Sequence, residues 1–318
     1  MREKELKLII DREKNKEEAK RIFSKQIEVI VDLVNYGSNL VVRAYDSSKR
    51  KLEDAIVIGV LLKQVISMVD AAEILASQGA PQPAYLQARS AFETSLYIDW
   101  ILLSESEKKA KYYYVSNLRN LRLWTLRYLP GTQENVYFSK VMSGLEEYMK
   151  PKLVTKEEEK EAKHQVAEID RILSQDGYRE INGEFEKRRS KKTGAEAYWY
   201  KPFGIESIMK LAEAVGRLSE YFIYYSKGSE IAHATSYRDQ VKFKKGRIEF
   251  EPVRYLEDMH TLLQLVMGEC LNSYLSIINH YRYGERKSFA RKYKADWWNA
   301  FQNIPSVSYV VAIQSEGD

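Results

Sequence analysis

Four polar side chains interrupt apolar patterns where they could do chemistry. Arg89 and Glu93 stand four residues apart in QPAYLQARSAFETSLYIDWILL (82–103), and Ser229 and His233 repeat that spacing later in the chain. Residues four apart share a face of a helix and can touch. A guanidinium holds an anion, a carboxylate orients it, and an imidazole moves a proton near neutral pH. If both helical faces point into one core, the set is sufficient for general acid–base cleavage of a phosphate ester. His233 would move the proton and Arg89 would stabilise developing charge. The same groups are equally sufficient for a pocket that holds an anion without turnover, or for an inert hydrogen-bond network. Tyr97, Tyr225 and Ser226 would line such a pocket.

A second candidate is the stretch EFEKRRSKKTGAEAYWYKPF (184–203). Its basic residues, Lys187, Arg188, Arg189, Lys191 and Lys192, could meet phosphates, and Trp199 between two tyrosines could stack on bases. The bland reading is a solvated helical excursion. Other chemistry is poorly represented. The histidines (164, 233, 260 and 280) form no HxxxH pair, and with a single cysteine no metal is expected. No P-loop, dinucleotide-binding glycine fingerprint or GxSxG elbow occurs, and no cofactor is expected.

Long helices must carry these groups. Pro81 and Pro83 suit the first turn of the 82–103 helix. Tyr85, Leu86, Arg89, Phe92, Glu93, Leu96, Trp100 and Leu103 fall on one side of it, and Ala84, Ala88, Ala91 and Ser95 on the other. Both sides read as buried, which makes this the central helix and sets Arg89 beside Glu93 within the core. Helices are expected over 22–43 and 52–77 before it. Ser104-Glu-Ser-Glu107 fits a capping box opening a helix to Tyr128. A short helix at 134–148 and a capped, charged one from Thr155 to Leu173 follow. A helix is expected over Ile205–Ser226; if it continues through Gly228, which can kink it, Ser229 and His233 fall on the same face. Gln240–Lys244 and Arg247–Glu251 alternate around Lys245-Gly246, which reads as a small β-hairpin or extended flap. Long helices over 255–281 and 286–301 end the pattern. The fold class is therefore all-α, a multi-helix bundle with a flap near 240–251. Residues 1–129 and 201–284 make one core domain, 130–200 a charged helical insertion, and 285–318 a C-terminal helix and tail.

The totals narrow the function classes. Across 318 residues the net charge is +5, too mild to demand a nucleic acid. The single cysteine, Cys270, lies in an apolar stretch and reads as core filler. It excludes an internal disulfide and fits a reducing compartment. The charge-dense start lacks a signal-peptide core, and the longest uncharged apolar run, Ala55–Leu62, is too short to span a bilayer. A cytosolic protein with no membrane partner is expected.

Arg89-Ser90-Ala-Phe-Glu93 on one helix, then Tyr225, Ser229 and His233, then a flap and a long apolar helix, resembles the DUF5677 family of uncharacterised, mainly bacterial helical proteins. The resemblance covers about 25–125 and 205–283; it implies a shared fold and polar site but no known reaction. A more distant likeness is to HEPN bundles, often ribonucleases of toxin and phage-defence systems. Their arginine precedes a histidine on one helix. Here no such arginine precedes His233; Arg238 follows it, and Arg89 would have to act from another helix. The expected partners are therefore RNA or a small anionic molecule, with a homodimer through the long helices as the scaffold alternative.

Overall fold

The computed structural model describes residues 11–46, 52–145, 155–190, 196–236, 240–244, 247–250 and 253–308. They divide into two compact units. One combines the chain up to Ser104 with the chain from Ser207 onward; the other is Glu105–Glu206. The second unit begins at Glu105.

The first unit is built on three long helices, α1 (Arg12–Asp46), α2 (Leu52–Ser77) and α3 (Pro81–Leu103), packed against α11 (Met259–Tyr281). α3 starts at the two prolines and is central, as its pattern predicts. Ala84, Ala88, Ala91 and Ser95 have no exposed surface, and Tyr85, Phe92, Leu96 and Ile98 are buried among the core side chains. Leu86 and Leu103 are exposed, so the bulky side is buried only in part. α1 reaches α11 through Gly37. A methyl group there would collide with Tyr274, whose hydroxyl donates to Leu33 O at 2.7 Å. Cys270 is fully buried one turn earlier on α11.

The helix expected from Ile205 is instead broken. It divides into α8 (Ile208–Ala214), a turn at Gly216 with φ of 75°, the single turn α9 (Leu218–Glu220), a π-helical turn (Tyr221–Tyr225) and α10 (Ser226–Ala232). Only glycine adopts that φ without strain. β1 (Val241–Lys244) and β2 (Arg247–Phe250) pair antiparallel, Val241 opposite Phe250. The chain ends in α12 (Arg286–Lys292), a second π-helical turn (Tyr293–Trp297) and α13 (Trp298–Gln302). Trp297 is buried and gives its indole N–H to Asp32 on α1 at 2.7 Å. Trp298, an expected packing residue, is exposed.

The second unit holds α4 (Ser106–Tyr128), α5 (Gln133–Met142), α6 (Lys156–Leu173) and α7 (Arg179–Arg188). The capping box predicted at Thr155 forms, with Glu158 as its reciprocal partner. At the start of α4 the N-cap is one residue later than the predicted Ser104. Glu105 is the N-cap of α4 in a left-handed conformation, φ 48°, and makes no side-chain cap. Such a turn carries the chain away from the geometry that a capping box needs.

Two helices, Asp54–Ser77 and Met259–Tyr281, are long and apolar enough to cross a membrane by length and composition. The first continues past the uncharged run Ala55–Leu62 and the isolated charge at Lys63. Of the most apolar stretch of each, 50% and 61% respectively is buried inside the fold, and core helices pass the same test.

Candidate ligand-binding site

α3 carries polar groups on two sides. On the first lie Arg89, Glu93 and Tyr97, all half-buried. α10 seats against this side through Gly228, where an added Cβ would come within 2.7 Å of Arg89 Cβ and 2.9 Å of Tyr85 O. The preceding π turn lays Tyr225 under the guanidinium, 4.6 Å from Arg89 Cζ to the ring centroid, and Arg89 donates to the Tyr225 hydroxyl at 2.9 Å. Tyr221 stacks on Tyr225 with centroids 4.8 Å apart. The two helices therefore meet, as expected, at Arg89 and Tyr225.

The rest of the predicted set is arranged differently. Glu93 accepts from Tyr97 at 2.8 Å and forms no ion pair with Arg89 among the described residues. Arg89 Nε is buried with no hydrogen-bond partner. Ser226 donates weakly to Tyr221 O at 3.4 Å, and Ser229 is half-buried. His233 is the exposed C-cap of α10, and among the described residues its imidazole makes no hydrogen bond. Helical rise accounts for this: Gly228 is the point of contact with α3, and His233 lies about 7.5 Å further along the axis at about 1.5 Å per residue.

On the other side of α3 is a buried network that was not anticipated. Arg217, just after the Gly216 turn, is 7% exposed. Its Nη2 donates to both oxygens of Glu269 on α11, at 2.7 and 2.9 Å. Nη1 donates to Ser95 at 2.8 Å and to Asp99 Oδ2 at 2.9 Å, both on α3. Nε donates to Glu220 Oε2 at 2.9 Å. Ser95 in turn donates to Glu269 at 2.5 Å, and Ser276 to Asp99 Oδ1 at 2.6 Å. Phe92 lies beneath the guanidinium, 5.0 Å from Cζ to its ring centroid.

One guanidinium thus serves three carboxylates. Complete burial raises the Glu269 carboxyl above its usual range, against the pull of Arg217 and the Ser95 hydrogen bond. Burial also opposes the Arg217 charge, but Glu269, Glu220 and Asp99 outweigh it and hold the guanidinium protonated. Two signals in the sequence pointed here. Gly216 is a turn residue inside an otherwise helical pattern, and Glu269 is a charge on the buried stripe of α11 that the apolar count passed over.

The network borders open space. A recess of about 490 Å³ is walled by Asp99, Arg217, Glu220, Asn272, Ser276 and His280. Next to it, a recess of about 380 Å³ has Tyr224, Phe289, Tyr293 and Phe301 in its wall. Glu220, Asn272 and Leu275 line both. Small-molecule sites have this size and this mixture of apolar wall and a few fixed polar groups. Neither recess is lined by Arg89 or His233.

The predicted nucleic-acid arm belongs to the second unit. Trp199 is 5% exposed and packs edge-on against Tyr113, centroids 5.3 Å apart, so its ring is committed to the core and cannot stack on a base. Arg189 lies 3.6 Å from Glu196 and 3.7 Å from Glu134, which offsets the charge it would bring to a phosphate. Arg188 is exposed at the end of α7, and Lys191 and Lys192 lie outside the described residues. A buried charge of this unit, Arg119, donates to both oxygens of Glu196 at 2.9 Å and to Glu186 at 2.9 Å. That arrangement ties α4 to α7 and to the segment that follows.

A family model described as "Family of unknown function (DUF5677)" matches residues 54–241. The match starts later than the expected 25–125 segment, stops short of α11 and runs across the 130–200 section. No curated protein and no solved structure matches the chain.

Proposed function

The chain belongs to the DUF5677 family, and we propose that its first unit is a binding module for a small molecule, seated in the recess beside Arg217. The observation that carries this reading is the state of Asp99 and Glu220. Both carboxylates are partly exposed to the recess while a buried guanidinium fixes their orientation. Polar groups locked in place before a ligand arrives lose little entropy on binding, which favours recognition. The test is a thermal-shift screen of cationic, anionic and neutral small molecules against the protein and a Leu275→Trp variant. Leu275 is 37% exposed and lines both recesses, so an indole there fills space without disturbing the core. A compound that raises Tm in the parent and not in the variant supports the reading. If no compound raises Tm, or every shift survives Leu275→Trp, the reading is wrong.

A second reading, phosphodiester cleavage, draws on one observation: the buried Arg89 Nε has no hydrogen-bond partner, which leaves donor capacity for a phosphate oxygen. It needs His233 to swing from solvent towards Arg89. RNA cleavage lost in both Arg89→Ala and His233→Ala would favour it over the binding module; no cleavage by the parent protein would remove it.

A further inference from the structure

The recess beside Arg217 and the aromatic recess next to it meet along Glu220, Asn272 and Leu275. Their linings are unlike. The first is polar, with Asp99, Ser276 and His280; the second holds Tyr224, Phe289, Tyr293 and Phe301. Both π-helical turns of the first unit contribute to the aromatic wall, Tyr224 from one and Tyr293 from the other. Such turns are uncommon and recur at functional sites.

Charge decides what the polar end would accept. Arg217 is the single lysine or arginine among the residues lining either recess. All its N–H groups are already used by Ser95, Asp99, Glu220 and Glu269. It therefore has nothing left to offer an incoming anion. The carboxylates do have capacity. Arg217 bonds only Oε2 of Glu220; Oε1 has no partner among the described residues. Glu220 is 31% exposed and stands on the wall common to both recesses. Asp99 and Glu220 on the polar wall share one guanidinium with the buried Glu269, which leaves that end negative. An anion would be repelled there, and a cation would restore the balance without displacing an existing hydrogen bond.

We propose that the joined recesses bind an organic amine, its ammonium group at Glu220 Oε1 near Asp99 and its apolar or aromatic body against Tyr224, Phe289, Tyr293 and Phe301. This rests on the binding-module reading and names the ligand class of the same site. It runs opposite to the anion expected from Arg89 alone. An ammonium ion can donate to Glu220 Oε1 and still face aromatic rings, an arrangement that cations favour. Asn272, exposed on the shared wall, offers an amide oxygen to the same group.

Phenethylamine and phenylacetate form a matched test pair, equal in ring and differing in charge. Titration calorimetry and Tm shifts are read on the full chain, with inorganic phosphate as a further anion. Phenethylamine is expected to bind and phenylacetate and phosphate are not. Glu220→Gln is expected to weaken the amine by about tenfold, the scale of one hydrogen bond to a charged group. Because Glu220 also supports Arg217, a second variant is needed. Asn272→Lys alters an exposed residue, and its ammonium should occupy the recess and abolish amine binding while circular dichroism stays unchanged. If phenylacetate or phosphate binds instead, and Leu275→Trp abolishes it, the amine assignment is overturned while the binding module stands. If neither of the pair nor any screened compound binds, both fall. Amine binding indifferent to Glu220→Gln and Asn272→Lys also overturns the assignment.

Discussion

Arg217 reaches Glu269 through Nη2, 2.7 and 2.9 Å from its two carboxylate oxygens, at a point where Glu269 is 1% exposed. This pair joins the turn after Gly216 to the buried stripe of α11, and Ser95 brings α3 into the same contact. Neither charge could remain there alone, because an unpaired ion in the core costs several kcal/mol. Arg217→Met is therefore expected to lower unfolding free energy by about 3–5 kcal/mol, the range for breaking a buried pair from one side. Arg217→Met with Glu269→Leu should recover part of that loss, since the fully buried carboxylate is gone and the two that remain, Asp99 and Glu220, are partly exposed. Urea unfolding of the three proteins is the check; a double variant as unstable as the single one would contradict the pairing.

Seating α10 on α3 depends on the missing side chain of Gly228. A Cβ there would press on Arg89 Cβ and on Tyr85 O, a backbone atom that cannot rotate away. Gly228→Ala is expected to destabilise by about 1–3 kcal/mol, the usual cost of overpacking. Gly183, inside α7 with open space where its Cβ would be, is the control. Gly183→Ala should be neutral or stabilising by up to about 1 kcal/mol through helix propensity. Equal Tm values for the two variants would mean that α10 does not rest on α3.

Cys270 is fully enclosed, and burial pushes its thiol up to about 12. Only the thiolate reacts with disulfide reagents. Ellman's reagent should therefore leave the native protein unlabelled at pH 8 and titrate one thiol once urea unfolds it. Rapid labelling of the folded protein would show that α11 is not covered as described.

Asp32 holds the C-terminal segment to α1. Burial, the largest influence on its carboxyl, pushes upward. The hydrogen bonds from Lys292 and Trp297, with the lysine charge, overcome it and leave the group below its ordinary 3.8. A carboxyl lowered in the folded state contributes stability above its unfolded value, and that contribution is lost as pH falls through the folded value. The difference in Tm between the parent and Asp32→Asn should therefore be constant at neutral pH and shrink below pH 3.8. A difference that grows on acidification would reverse the sign and refute the contact.

Much of the framework was legible in the sequence. Proline at the start of α3, the small residues along it and the Thr155 box each reflect a local preference that tertiary packing left in force. The site was less so. Arg89 and Tyr225 meet, as their spacing on two helices suggested, but His233 does not join them. The periodic pattern runs through Gly216, where the helix in fact breaks, whereas Gly228 lies within α10; an error of one turn moves a side chain to a different face. The basic residues before Trp199 suggest base stacking as an alternative to a solvated excursion, but the fate of its ring depends on Tyr113, distant in sequence. Glu269 is hard to single out in the sequence because its neighbours are apolar, although burial is what makes a charge informative.

The most direct measurement is a crystal structure of the protein grown with phenethylamine. The account predicts electron density in the joined recesses, with the nitrogen within hydrogen-bond distance of Glu220 Oε1 and the ring against Tyr293 and Phe301. Empty recesses at a concentration of amine that raises Tm, with the molecule found instead beside Arg89 and Tyr225, would contradict it.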